Sequence, residues 1–87
     1  MRLRIARRSA RMRVTVLEVD GELIREGAAE LRRVCGRIRG LLRLDVSNLR
    51  AADDDGILAL RDLRRDGAEI VGISPYIGLR LLRADEE

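Results

Sequence analysis

The densest polar constellation in this chain is Asp53-Asp54-Asp55-Gly56, three successive carboxylates followed by a residue with no side chain. Carboxylates grouped in this way serve helix capping, cation binding or acid–base hydrolysis. Capping fits without any ligand: Asp53 stands where an N-cap accepts a backbone N–H, and Asp54 and Asp55 fall in the positive first turn of a helix. Against the calcium-loop pattern, Asp53, Asp55, Gly56 and Asp62 take the third, fifth, sixth and twelfth places, but Ala51 stands first, where a carboxylate is required. Hydrolysis needs two carboxylates facing each other across a substrate, whereas adjacent helix-start residues diverge and no second cluster opposes them. Neither a metal nor a cofactor is expected.

Other catalytic groups are sparse. The chain has no His, which removes the commonest general base and metal ligand together. Cys35 is the sole cysteine, which excludes an internal disulfide and fits a reducing compartment; it reads as a small buried helix residue. The hydroxyls Ser9, Thr15, Ser47, Ser74 and Tyr76 have no neighbouring base in sequence, and Gly21, Gly27, Gly36 and Gly40 are too scattered for a phosphate loop. No enzyme is expected from these residues.

The net charge of +3 is unevenly spread. Arg2, Arg4, Arg7, Arg8, Arg11 and Arg13 crowd the first thirteen residues without an acid, and the rest of the chain is slightly acidic. Such a block could contact nucleic-acid phosphates or an anionic surface. With one Tyr and no Phe or Trp, however, there is almost nothing on which bases could stack, which argues against nucleic acid. The plainer expectation is a solvated face of an edge strand.

Eighty-seven residues make one domain, spanning 1–87, around an aliphatic core of fourteen Leu, seven Ile and six Val. Alternation of apolar and charged residues predicts an N-terminal strand over residues 2–6, a turn over Arg7–Arg11 and a second strand over Met12–Val19, ended by Asp20-Gly21. Ala28, Leu31, Cys35 and Ile38 lie on one stripe of a helix running from about Arg25 to Ile38. The apolar run Leu41–Val46 predicts a central strand covered on both sides. Ile57, Leu60 and Leu63 mark a helix that follows the acidic turn and ends near Arg64-Arg65-Asp66-Gly67. Ala68–Ile73 is the next strand. Ser74-Pro75 supplies an N-cap and a first-turn proline for a helix to about Arg83, before an acidic tail over 84–87. Strands alternating with helices predict an α/β fold: a sheet of about four strands, parallel in part, packed with three helices. No run is apolar enough for a membrane span and no signal-peptide core is present, so the expected location is the cytoplasm.

From Val14 to Leu82, roughly 80% of the chain, this order resembles the STAS family, shared by bacterial anti-sigma factor antagonists and sulphate transporter tails. The matching pieces are Asp20-Gly21-Glu22-Leu23, Leu44-Asp45-Val46-Ser47, Asp53-Asp54-Asp55-Gly56-Ile57 with Leu60, and Gly67-Ala68-Glu69-Ile70-Val71. The resemblance implies a non-catalytic protein-recognition module. Its implied partner surface is Asp53, Asp54, Asp55, Gly56, Ile57 and Leu58, with Asn48 and Arg50 alongside. In the antagonists the corresponding turn reads Asp-Ser-Ser-Gly, and the partner kinase phosphorylates its first Ser. Asp54 holds that phosphoacceptor position here and cannot be phosphorylated as a serine; it carries one fixed negative charge where phosphoserine carries about −1.5 to −2.

Two kinds of partner follow from the resemblance: an anti-sigma factor-like kinase, or the ATPase subunit of a lipid-transporting complex, on which small members sit as accessory subunits. Family members often continue past the third helix with a further strand and helix. An end at Glu87 predicts a less protected sheet edge and a route to homo-oligomers.

Overall fold

A computed structural model describes residues 3–8 and 14–86. The element order is β1 (Leu3–Arg8), β2 (Val14–Leu23), α1 (Glu26–Gly36), β3 (Leu41–Asp45), β4 (Leu49–Ala52), α2 (Asp54–Arg65), β5 (Glu69–Val71) and α3 (Pro75–Asp85). The fold is α/β, with three helices and a mixed five-stranded sheet. The strands run in the order β1-β2-β3-β5, and β4 continues the line of β3 along the same edge of β2. β1 is antiparallel to β2, and the other pairings are parallel.

The alternation of β2 explains the two layers. Leu17, Val19 and Leu23 share one face and are buried with Leu44 of β3, Leu31 of α1, Leu60 of α2, and Ile77 and Leu81 of α3. Helix α2 packs against both α1 and α3, so the helices form one layer over that face. Among the described residues the opposite face carries no helix. Its register places Arg4 opposite Asp20, Glu18 opposite Asp45 and Arg43 opposite Glu69. Ion pairs cross it: Arg4 to Asp20 at 2.5 Å, Arg8 to Glu18 at 3.2 Å and to Asp45 at 3.7 Å, and Arg43 to Glu69 at 2.5 Å.

Several boundaries depart from the periodicity. β3 is covered on one face alone: Leu44 is buried, but Leu41 is 63% exposed and Arg43 lies on the open face. The density of leucines there reflects a strand end with few neighbours, not two covered faces. Arg7 and Arg8 extend β1 where a turn was expected, because Arg7 pairs in register with Leu17 and Arg8 reaches the acids of β2 and β3. The rest of that expected turn, Ser9 to Arg11, lies outside the described residues, as do Arg2, Met12, Arg13 and Glu87. β2 does not stop at Asp20-Gly21. Gly21 takes φ 93° at an irregularity where β2 passes from β3 to β4, a conformation that glycine adopts without strain. β4 was not foreseen, since Leu49-Arg50-Ala51-Ala52 is too short and weakly alternating to be read as a strand before β2 offers it an edge. β5 is three residues long rather than six, and the expected acidic tail is instead helical as far as Asp85, which pairs with Arg64.

At the junction of β2 and α2 the two backbones approach closely. A Cβ at position 56 would overlap the Leu23 carbonyl oxygen and press on the side chain of Ala52. Glycine is therefore required there by close approach, and the atoms it meets are mostly backbone, which yields little. Gly56→Ala is expected to lower stability by about 1–3 kcal/mol, the range for overpacking a well-filled site. Urea denaturation reads this as a lower midpoint at an unchanged slope, and a midpoint equal to that of the parent would show that the junction opens freely.

Candidate functional site

Asp53 is built into the junction as a two-handed cap. Its backbone is extended (φ −85°, ψ −175°), and its Oδ1 accepts the Gly56 N–H at 2.8 Å, closing the first turn of α2. Its Oδ2 accepts the Arg25 N–H at 3.1 Å, immediately before α1. The Asp53 N–H donates to the Leu23 carbonyl at 3.2 Å, so one residue ties together β2, α1 and α2. Arg25 has φ 34°, a strained region for a residue with a side chain, and the Asp53 carboxylate is one of the groups that hold it there.

Asp54 points the other way. Its side chain is 96% exposed, yet Arg80 of α3 donates from Nη2 to Asp54 Oδ1 at 2.6 Å. Arg80 is itself fixed from behind: Nη1 donates to the Ala52 carbonyl oxygen, and the guanidinium lies 5.7 Å from the Tyr76 ring centroid. The fixed charge is thus presented outward on an ordered mount. Asp54, Ile57 and Leu58 form one wall of a groove of about 360 Å³, with Arg80, Arg83 and Ala84 opposite. Beside it, Tyr76 and Leu79 on α3 are more than half exposed.

The implied contact residues therefore separate. Asp54 and Asp55 face water and Leu58 is half-buried at the groove. Gly56 is buried beneath the turn, and Ile57 is 4% exposed in the core. Asn48 and Arg50 are exposed but line a different groove, of about 610 Å³, with Arg4, Asp20 and Glu22 and with none of residues 53–58. Arg80 was missed by sequence reasoning. It lies 26 residues from Asp54 inside a helix rich in similar residues, and no local spacing signals the pair.

The remaining candidates are structural. Ser47 donates from Oγ and from its N–H to Asp45 Oδ1 at 2.6 and 3.0 Å, which holds the Asp45 carboxyl below its usual range, with Arg8 adding to the effect. Ser47 also packs so closely on Gly72 that a Cβ there would overlap it. Ser74 Oγ accepts the Ile77 N–H at 3.2 Å and caps α3, as its place before Pro75 predicts. Cys35 is buried, and burial pushes its thiol up to about 11. Among the described residues no three His, Cys, Asp or Glu side chains group as metal ligands. No helix among them is long and apolar enough to cross a membrane.

No protein-family model matches the chain, and no curated protein matches it.

Two outcomes follow from this geometry. Asp53→Ala removes two hydrogen bonds to a charged acceptor and is expected to cost about 2 kcal/mol, whereas Asp54→Ala, which breaks one exposed pair, stays within about 1 kcal/mol. Equal losses in thermal or urea unfolding would contradict the division between the two residues. Cys35, protonated and buried at pH 8, is expected to resist iodoacetamide in the native protein and to react once unfolded in urea. Native-state labelling as fast as that of the unfolded chain would place the thiol in solvent.

Proposed function

We propose that this protein is a non-catalytic protein-recognition module of the STAS kind, and that the exposed start of α2 is its contact surface. The observation that carries the reading is the Asp54–Arg80 pair, in which a 96% exposed carboxylate is held in place by a guanidinium that is itself anchored to Ala52 and Tyr76. A partner meeting that surface finds a charge whose position needs no ordering on binding, which lowers the entropic cost of association. Leu58 and the exposed Tyr76 and Leu79 supply apolar area beside it.

The partner of this reading is an anti-sigma factor-like kinase, with the ATPase subunit of a lipid-transport complex as the second candidate. Because Asp54 occupies the phosphoacceptor-equivalent position, the contact is not switched by serine phosphorylation there. The arginine-rich N-terminus is a weaker candidate for binding nucleic acid, since Arg4 and Arg8 already face acids of the same chain.

The test uses Asp54→Arg/Asp55→Arg and leaves the cap Asp53 intact, so that folding is preserved. Both purified partner types are titrated against the tagged protein and the variant by calorimetry. Binding of one of them, weakened at least tenfold in the variant at an unchanged melting temperature, is the expected result. Incubation with the kinase and ATP is expected to leave residues 53–56 unmodified by mass spectrometry. Binding that is indifferent to the double substitution, or binding by neither partner, would remove the start of α2 as the contact surface.

A further inference from the structure

We propose that the outer edge of β1, with the groove beneath it, takes an extended segment of another polypeptide as an added strand, apolar toward the groove and acidic at the end nearest Arg7. This surface is separate from the α2 turn and from the function proposed for it.

β1 is the six-residue edge of the sheet, and among the described residues no strand pairs with its outer side. Alternate residues of an edge strand direct their N–H and C=O groups outward, where a further strand satisfies them. On the helix side the core runs on past this edge. Leu3, Ile5, Leu17, Val34 and Ile38 form an apolar groove of about 460 Å³ between β1 and α1. Leu3 and Ile5 are only partly buried against the core. An added strand would set its alternate side chains into that groove, because residues i and i+2 of neighbouring strands share a face.

Charge determines what kind of strand fits. The register places Leu3 level with Gly21, Ile5 with Val19 and Arg7 with Leu17, so Arg7 lies toward the end of the groove where α1 finishes and Arg37 follows. Both guanidiniums line the groove and are exposed, and neither makes an ion pair with a described residue. Glu30, also at the groove, is already paired with Arg33. Arg4 and Arg8, on the opposite face, are paired with Glu18, Asp20 and Asp45. An acid reaching the groove end would therefore meet two exposed cations that have no ion-pair partner among the described residues, where it can accept charge-assisted hydrogen bonds.

The same charges disfavour a second copy. β1 carries three Arg and no acid, so self-pairing would bring like charges together across the new ladder.

The experiment uses the full chain and two fluorescein-labelled peptides of alternating threonine and valine. One has a glutamate on the valine side at its C-terminal end and the other at its N-terminal end, which covers parallel and antiparallel addition. One of them is expected to raise fluorescence anisotropy on titration and to slow hydrogen exchange of β1 amides. Arg7→Glu/Arg37→Glu, both exposed positions, is expected to weaken binding about tenfold or more. N-methylation of alternate peptide amides, which deletes the ladder donors, is expected to abolish binding. Asp54→Arg/Asp55→Arg is expected to leave it unchanged, which separates this surface from the α2 turn. The proposal is overturned by no binding of either peptide up to about 1 mM. It is equally overturned by binding that ignores the arginine reversal or the N-methylation, or by sedimentation showing a dimer whose interface protects β1.

Discussion

The architecture hangs on the approach of α2 to the end of β2. At Gly56 the helix backbone comes so near the Leu23 carbonyl that no side chain fits between them. Asp53, three residues earlier, spends both carboxylate oxygens on that junction, one on α2 and one on the residue before α1. The two helices that cover the centre of the sheet thus take their positions from one carboxylate and one absent Cβ. Once α2 is seated, α3 packs on its far side and delivers Arg80 to Asp54. The exposed acidic surface is a consequence of that seating: Asp53 is used up by the fold, and its neighbours are turned outward.

The sheet is asymmetric in what holds its two sides. Beneath the helices the contacts are aliphatic, while the open face is crossed by arginine–carboxylate pairs. Exposed pairs of this kind contribute little stability each. Their larger effect here is on which charges remain available. Arg4 and Arg8 belong to the chain's most basic segment, yet they face Glu18, Asp20 and Asp45, so the basicity of that segment is partly balanced across β1 and β2. Arg7, one position out of phase, points to the groove side and is not balanced in this way. A period of two decides between the two fates.

Much of the fold was legible in the chain because its signals are local. The stripe Ala28, Leu31, Cys35 and Ile38, the cap Ser74 before Pro75, and the acids of Asp53–Asp55 ahead of Ile57 and Leu60 each report a helix through neighbours within one or two turns. The alternation of Val14–Val19 marked a strand for the same reason. The elements that were missed or misjudged depend on partners far away. β4 exists because β2 runs past Gly21 and offers an edge, and Arg7 and Arg8 are strand because β2 lies beside them. Leu41 to Val46 looks buried on both faces from composition, and only the placement of all three helices on one side shows that it is not.

The candidate site divides along the same line. That Asp53 fits a helix cap and that Asp54 has no hydroxyl to phosphorylate can be read from residue type and position, and the structure shows the cap. That Ile57 is in the core, that Asn48 and Arg50 open onto a separate groove, and that Arg80 holds Asp54 were decided by tertiary packing. The physical reason is range. Capping and periodicity act over three or four residues, where the order of side chains fixes the geometry. Burial and ion pairing across the molecule depend on which surfaces meet, and those are chosen by the packing of whole elements.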